Sequence, residues 1–106
     1  MLHNKSPRTA QKLVCEQKLD SISCPLGELI TIVSVQYGRT QPNLCNPYGI
    51  SISNLNCRST LISTNAVLSS CQGRTICLLS ADNRILGEDP CPAIPKYLEL
   101  KTSSKA

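Results

Sequence analysis

The sequence predicts an α+β fold: a small disulfide-stapled domain of short antiparallel β-strands with about one helix and long structured loops. Three observations predict it. Seven cysteines are spread over 106 residues. The chain has no Phe, no Trp and only three Tyr, so its core must be aliphatic and thin and needs covalent support. Segments rich in Gly and Pro separate short runs of β-branched residues, as between strands.

The cysteines are spaced for disulfide bonds rather than for a metal. They are Cys15, Cys24, Cys45, Cys57, Cys71, Cys77 and Cys91. No two form the Cys-x-x-Cys pair with which zinc ribbons deliver two ligands from one turn. A bridge that closes about 30 residues stabilises a chain by roughly 3–4 kcal/mol, a large share of a typical folding free energy. We therefore predict an extracellular, oxidising location and no metal or other cofactor.

The limits of the domain follow from polarity. Residues 1–12 and 102–106 are polar and are predicted to be tails, which leaves residues 13–101 as one domain. The N-terminal segment has no apolar stretch of the signal-peptide kind. We therefore expect a piece of a longer secreted or membrane-anchored protein.

Four strands are expected within this domain, together with one ambiguous segment. Residues 13–15 open it as a short strand, and residues 29–35 are the clearest strand because Ile, Thr and Val dominate them. Residues 50–53 alternate at period two and fit either a short strand or an ordered loop. Strands are also predicted at 75–80 and 96–101.

One helix is expected between the second and third predicted strands. Residues 59–70 carry apolar side chains at approximately helical spacing, and Ser59 is a suitable N-cap. The apolar positions are Leu61, Ile62, Ala66, Val67 and Leu68. Residues 82–95 contain Gly and Pro and are predicted to be a loop.

Charge and composition exclude several classes of partner. The formal net charge is +4, and the basic residues are scattered rather than gathered into a stripe with stacking aromatics. We therefore predict no nucleic-acid partner. No apolar run approaches the 18 or so residues that span a bilayer, so no direct membrane insertion is expected.

An enzymatic role is also not expected. The only histidine, His3, lies in the predicted N-terminal tail. No Cys–His or Ser–His dyad can therefore be assembled within the domain.

Three segments together resemble the sea-urchin-egg-lectin, or rhamnose-binding-lectin, domain. The first is Cys15-Glu16 followed by Cys24, and the second is Val35-Gln36-Tyr37-Gly38-Arg39 with Cys45 six residues later. The third is Asp89-Pro90-Cys91-Pro92 followed by Lys96-Tyr97-Leu98-Glu99. Their order and spacing make the chain similar to this family over about residues 13–101.

The resemblance implies a disulfide pattern. The implied pairs are Cys15 with Cys45, Cys57 with Cys91, and Cys71 with Cys77. In the family Cys24 would join an eighth cysteine just after the last strand, and that position falls near Ser104 here. Cys24 is therefore expected to be unpaired, most simply as a buried thiol.

The resemblance also implies a function and a site. It implies a calcium-independent module that recognises L-rhamnose or D-galactose types of sugar. Glu16, Asp89 and Lys96 would supply polar contacts, Tyr37 would line the pocket, and Ala93 would lie in its loop. Charged groups suit this role because charge-assisted hydrogen bonds to hydroxyls contribute about 1.5–3 kcal/mol each.

Each candidate also has an ordinary structural explanation. Glu16 could be a surface carboxylate, Asp89 a turn former, and Tyr37 a core residue. Lys96 could pair with Glu99 or lie in solvent.

The glycan is not the only partner that the sequence allows. Ala93-Ile94-Pro95 stands where the family has Gly-Thr-Tyr, and alanine adopts positive φ less readily than glycine. This departure leaves an alternative open, a protein-interaction module in the ectodomain of an adhesion or guidance receptor. The expected partner is a glycan or an extracellular protein.

Overall fold

The structure is a computed structural model that describes residues 8–106, so residues 1–7 of the predicted N-terminal tail, with His3, lie outside the described residues. It contains short antiparallel strands, two helices and long loops, which is the predicted class of fold. The elements in order are β1 (Arg8–Cys15), β2 (Leu19–Ser23), β3 (Leu29–Gly38), α1 (Leu61–Cys71), β4 (Ile76–Ser80), α2 (Asn83–Leu86) and β5 (Tyr97–Lys105).

The main sheet has the strand order β1–β5–β3, and all its pairs are antiparallel. Leu98 is opposite Val14 on one side and Tyr37 on the other, and all three are buried. The ladder between β3 and β5 shifts register between Ile32 and Ser34, as at a β-bulge. This sheet brings the start of β5 beside the end of β1.

A second layer covers one face of the sheet. Strands β2 and β4 form a two-stranded antiparallel sheet, and α1 packs against β3 and β4. The helix buries Ser63, Val67 and Cys71, which follow each other at intervals of four and form one narrow stripe. The core between the layers is aliphatic apart from Tyr37 and cysteine. It includes Val14, Ile30, Tyr37, Val67, Leu79, Leu86, Leu98 and Leu100.

Gly38 allows a close approach of two backbone segments at the end of β3. A Cβ atom at this position would collide with the carbonyl oxygen of Cys57. Next to it, Arg39 and Cys57 exchange backbone hydrogen bonds at 2.9 and 3.2 Å. The glycine in Tyr37-Gly38-Arg39 is therefore required by packing.

Three disulfide bonds crosslink the strands, the helix α1 and the loops. They are Cys15–Cys45, Cys57–Cys91 and Cys71–Cys77, the same pairs that the resemblance implies. Cys24 carries no bridge. It is partly buried, and its thiol donates to the carbonyl oxygen of Glu28 at 2.8 Å.

The structure differs from the predicted elements at several points. Strands β1 and β5 reach Arg8 and Lys105, into both segments predicted as tails. The N-cap of α1 is Thr60 and not Ser59, because the Thr60 side chain accepts from the N–H of Ile62. Residues 50–53 are an ordered loop rather than a strand.

Three further elements or faces were predicted wrongly or missed. Strand β2 was not predicted, and α2 lies within the predicted loop 82–95. Leu61 and Ile62, assigned to the apolar face of α1, are exposed. Neither helix within residues 8–106 is long and apolar enough to cross a bilayer.

Candidate functional site

Three charged side chains from distant parts of the chain meet where β1 ends and β5 begins. The Lys96 ammonium nitrogen lies 3.3 Å from a carboxylate oxygen of Glu16 and 3.1 Å from one of Asp89. Lys96 is almost fully buried at 3 % exposure, whereas the side chains of Glu16 and Asp89 keep 25 % and 33 % of their surface. One ammonium therefore bridges two accessible carboxylates. Lys96 neither pairs with Glu99 nor lies in solvent.

Backbone contacts fix Glu16 against Lys96. The N–H of Glu16 donates to the carbonyl of Lys96 at 3.0 Å, and the N–H of Lys96 donates to the Glu16 carboxylate at 2.9 Å. Cys15, the neighbouring residue, is bonded to Cys45. The carboxylate is thus held by the sheet, by a disulfide and by the lysine backbone.

Asp89 is fixed in a different way. Its carboxylate accepts from the N–H of Cys91 at 3.2 Å across Pro90, as aspartate does in a turn, and Cys91 is bonded to Cys57. Asp89 is therefore a turn former and also a member of the charged group.

Lys96 has no proton left for a further partner. Besides the two carboxylates, its ammonium group donates to the carbonyls of Ile94 at 2.8 Å and Cys91 at 3.3 Å. An ammonium has three protons, and four acceptors surround this one. In this arrangement Lys96 therefore orients and neutralises the carboxylates, and it has no free proton to donate to a ligand.

An open depression of about 840 Å³ surrounds the two carboxylates. Gln17, Cys45 and Ala93 all line it, and they are the non-glycine residues with positive φ in the part of the chain that the structure describes. Ala93 has φ +67°, so the alanine adopts a conformation that glycine would adopt more easily. Strained backbone of this kind is often concentrated at functional sites.

Tyr37 lies beneath the depression rather than at its surface. Its side chain is fully buried in the core, and its hydroxyl donates to the Asn83 side-chain oxygen at 2.6 Å. Burial raises the pKa of Tyr37 well above its usual range, and the carboxylates of Glu16, Asp89 and Asp82 add to this effect. Asn83 itself lines the depression. The ring therefore supports the site from below, and the expectation that it lines the pocket is wrong.

Arg39 holds two walls of the depression together. It is fully buried, and its guanidinium donates to the carbonyls of Pro95 at 2.7 Å, Gln41 at 2.9 Å and Cys45 at 3.1 Å, and also to that of Leu44. It also lies over the Tyr97 ring, 5.0 Å from the ring centre. The arginine thus ties the loop over residues 40–47 to the residue before Lys96. The sequence alone predicts no such role for Arg39.

The arrangement offers hydrogen-bond acceptors in fixed positions. Within residues 8–106, no group of three or more His, Cys, Asp or Glu side chains is placed to hold a metal ion. What the site presents instead is partly exposed carboxylate oxygens that line an open depression. Such oxygens accept strong hydrogen bonds from hydroxyl groups.

Comparison with known proteins identifies the family of this chain. The family model of the D-galactoside/L-rhamnose binding SUEL lectin domain matches residues 22–104. The chain belongs to the SUEL lectin domain family. The match includes Tyr37, Asp89, Ala93 and Lys96, and it begins after Glu16.

Individual relatives extend the match toward the N-terminus and fall into two groups. The chain is 42 % identical over 88 residues to the D-galactoside-specific lectin of Heliocidaris crassispina, and 41 % identical over 88 residues to the L-rhamnose-binding lectin ELEL-1 of Echinometra lucunter. These matches cover 82 % of this chain and 82 % of each lectin. It is also 38 % identical over 95 residues to Latrophilin-like protein 1 of Caenorhabditis elegans, which covers 88 % of this chain but 9 % of that protein.

Two features of this SUEL lectin domain could not have been assigned from the sequence alone. Arg39 is held by backbone carbonyls, which every residue carries, so no pattern of side chains reveals its acceptors. Asn83 reaches the site because α2 begins at this residue. The local sequence feature that indicates this helix start is Asp82, whose side chain caps α2.

Proposed function

We propose that this SUEL lectin domain binds carbohydrate without calcium and recognises terminal sugars of the L-rhamnose or D-galactose type. The observation that carries the proposal is the Lys96 ammonium between the Glu16 and Asp89 carboxylates, three groups that line one open depression. Similarity to a D-galactoside-specific and an L-rhamnose-binding lectin over 82 % of the chain supports this sugar class.

The binding mechanism depends on the two accessible carboxylates. Adjacent hydroxyls of one sugar donate protons to Glu16 and Asp89, and each such bond contributes about 1.5–3 kcal/mol. Lys96 holds both carboxylates at fixed positions and offsets their mutual repulsion. The disulfides beside Glu16 and Asp89 reduce the ordering that binding would otherwise require. Because the Lys96 ammonium supplies the positive charge between the carboxylates, the proposed site needs no metal ion.

We also propose that the domain binds its ligand without transforming it. A glycosidase needs one carboxyl group that gives a proton and a second group that attacks or activates water. Glu16 and Asp89 instead share one ammonium, and that ammonium is saturated by four acceptors. None of Glu16, Asp89 and Lys96 is therefore placed to give a proton to a ligand or to take one from it.

The location is proposed from the chemistry and the relatives together. Three disulfides require an oxidising environment, and the named lectins and latrophilin proteins point to an extracellular place. The chain matches 5–9 % of the latrophilin proteins' length and 82 % of the two lectins. We propose that it acts outside the cell, as a secreted module or as part of a receptor ectodomain, without inserting into the membrane.

Sugar titration of matched carboxylate variants tests the binding site. We expect Asp89→Asn and Glu16→Gln each to weaken binding of methyl α-L-rhamnoside or methyl β-D-galactoside about 10- to 100-fold, because each removes a charged acceptor. Asp20→Asn is the control, since Asp20 pairs with Lys12 at 3.0 Å but does not line the depression. Calorimetry or amide chemical shifts give the dissociation constants, and added EDTA should leave them unchanged.

The alternative, a protein-interaction module, is favoured by the similarity to Latrophilin-like protein 1 and by Ala93-Ile94-Pro95. If neither sugar binds the folded chain at about 10 mM, a concentration that half-saturates a site with a binding free energy of about −2.7 kcal/mol, the lectin proposal fails. Capture of an extracellular protein that excess sugar does not displace would then support the alternative.

A further inference from the structure

Tyr48 is an exposed aromatic residue in a chain that has very few. Of the three tyrosines, Tyr37 and Tyr97 are buried, whereas Tyr48 is 91 % exposed. An exposed tyrosine ring leaves a large apolar surface in water. Isolated apolar residues do occur on ordinary protein surfaces, so exposure alone does not assign a role.

The backbone that carries Tyr48 is held in one conformation. The Asn46 side chain donates to the carbonyls of Pro42 at 3.0 Å and Ile50 at 2.8 Å, and accepts from the N–H of Ile50 at 3.1 Å. The N–H of Gly49 donates to the carbonyl of Asn46 at 3.1 Å, and Gly49 has φ +61°. The turn over residues 46–50 is therefore closed by three hydrogen bonds, a fourth ties Asn46 back to Pro42, and Tyr48 lies in the middle of the turn.

This turn begins at the rim of the depression. Cys45, Asn46 and Pro47 line the depression, and Tyr48 is the next residue along the chain. Cys45 is bonded to Cys15 beside Glu16, and its carbonyl accepts from Arg39. The same covalent and hydrogen-bond framework thus fixes both the carboxylate and the turn that carries the ring.

The depression has room for more than one sugar. Its volume of about 840 Å³ lies within the range of sites that enclose drug-sized ligands. The charged group of Glu16, Asp89 and Lys96 makes up one part of the lining. The wall that leads to Tyr48 is formed by Asn43, Asn46 and Pro47.

We propose that Tyr48 is the platform of a second subsite and stacks on the sugar next to the terminal one. The inference rests on the proposed function, because the carboxylates must hold the terminal sugar. The C–H face of a pyranose ring is apolar and packs on an aromatic ring. Tyrosine loses little conformational entropy in doing so, since it has two side-chain torsions. The preferred ligand is then an oligosaccharide rather than a single sugar.

Comparing a monosaccharide with a disaccharide tests this subsite. The probes are methyl β-D-galactoside and lactose, which adds a glucose to the same terminal galactose. We expect Tyr48→Ala to weaken lactose binding about three- to tenfold, the usual contribution of an aromatic contact, and to change galactoside binding less than twofold. Lactose, but not the galactoside, should also shift the ring signals of Tyr48 in NMR spectra.

Two controls separate the ring from general effects of substitution. Tyr48→Phe keeps the ring and should bind lactose like the unaltered chain. Leu26→Ala removes another fully exposed apolar side chain, in the turn between β2 and β3, and should change neither affinity.

The possible failures are distinguishable. If the unaltered chain binds both sugars and Tyr48→Ala leaves both affinities unchanged, or weakens both equally, the second subsite is refuted and the lectin function stands. If the folded, unaltered chain binds neither sugar, the lectin function and the subsite are refuted together.

Discussion

Ala93 has φ +67° in the loop that lines the depression. This left-handed conformation costs an alanine roughly 1 kcal/mol more than a glycine, because the Cβ atom approaches the following carbonyl. The alanine that stands where the family has glycine therefore has a backbone conformation that glycine adopts easily. Alanine at this position was one reason to consider a protein-interaction module. The loop nevertheless has the conformation that glycine favours.

Replacing this residue with glycine should stabilise the protein. We expect Ala93→Gly to raise the free energy of unfolding by about 0.5–1 kcal/mol, since relief of the strain exceeds the entropy that glycine adds to the unfolded chain. Ala66→Gly within α1 is the matched control and should lower it by about 1 kcal/mol. Urea denaturation measures both, and a destabilised Ala93→Gly would show that the alanine is not strained.

At this scale the sequence predicted the identity of the charged residues better than their surroundings. Resemblance to a known family named Glu16, Asp89 and Lys96, and the structure brings them together. It did not reveal that Lys96 has four acceptors, because two of them are backbone carbonyls. Nor did it place Tyr37, since a tyrosine beside a predicted site fits the core and the pocket equally well.

Among the elements, α1 depends strongly on contacts from outside the helix. Leu61 and Ile62 are exposed, and Val67 is the one fully buried aliphatic residue on its stripe. Glu88 accepts from the Thr60 N–H and hydroxyl at 3.0–3.2 Å, and from the Ser63 N–H at 2.9 Å and hydroxyl at 2.7 Å. A carboxylate thus satisfies the donors at the helix N-terminus from another segment.

Replacing the Glu88 carboxylate with a neutral amide should destabilise α1 and the fold. We expect Glu88→Gln to lower the free energy of unfolding by about 1–2 kcal/mol, because a neutral amide accepts more weakly and lacks the charge that the helix N-terminus favours. Glu99→Gln is the control: the Glu99 backbone pairs with β1 and β3, but within residues 8–106 its side chain makes no hydrogen bond or ion pair. Denaturation with urea at neutral pH compares the two variants, and equal effects would contradict this role.

The same contact predicts a dependence on pH. Burial by itself raises the pKa of Glu88, but the bonds from Ser63 and Thr60 outweigh it and hold the pKa below its ordinary value of 4.5. A lowered folded pKa means that the stabilisation is fully present above pH 4.5 and is lost as the pH falls through the folded value. The difference between the unaltered chain and Glu88→Gln should therefore shrink in acid, and a constant difference would exclude this linkage.

The elements were predictable where side chains show a clear period. Residues 29–35 are rich in Ile, Val and Thr, and β3 lies there. Strand β2 was not predicted, because Asp20, Ser21 and Ser23 leave no alternation of apolar and polar side chains. It is extended because its backbone pairs with β4. The start of β1 and the end of β5 are polar and were therefore predicted to be tails. They form strands because they pair with each other, and backbone pairing does not require apolar side chains.

On the scale of the whole molecule, the bridges compensate for a small core. Cys15–Cys45 and Cys57–Cys91 join residues 30 and 34 positions apart, whereas Cys71–Cys77 joins residues 6 apart. Of the two long bridges, Cys15–Cys45 connects a site loop to the end of β1, and Cys57–Cys91 connects the loop before α1 to the loop that follows Asp89. Loop-closure entropy makes their contribution to stability larger than that of the short bridge.

Removing one long and one short bridge should measure this difference. We expect Cys57→Ala/Cys91→Ala to cost roughly 4 kcal/mol, and Cys71→Ala/Cys77→Ala roughly 2 kcal/mol, from the entropy of loops closed over 34 and 6 positions. All four cysteines are buried, so the loss of packing is similar in both variants and the loop length dominates the comparison. Urea denaturation under non-reducing conditions gives both values. Equal losses, or a larger loss for the short bridge, would mean that packing around α1 rather than chain entropy decides the stability of the domain.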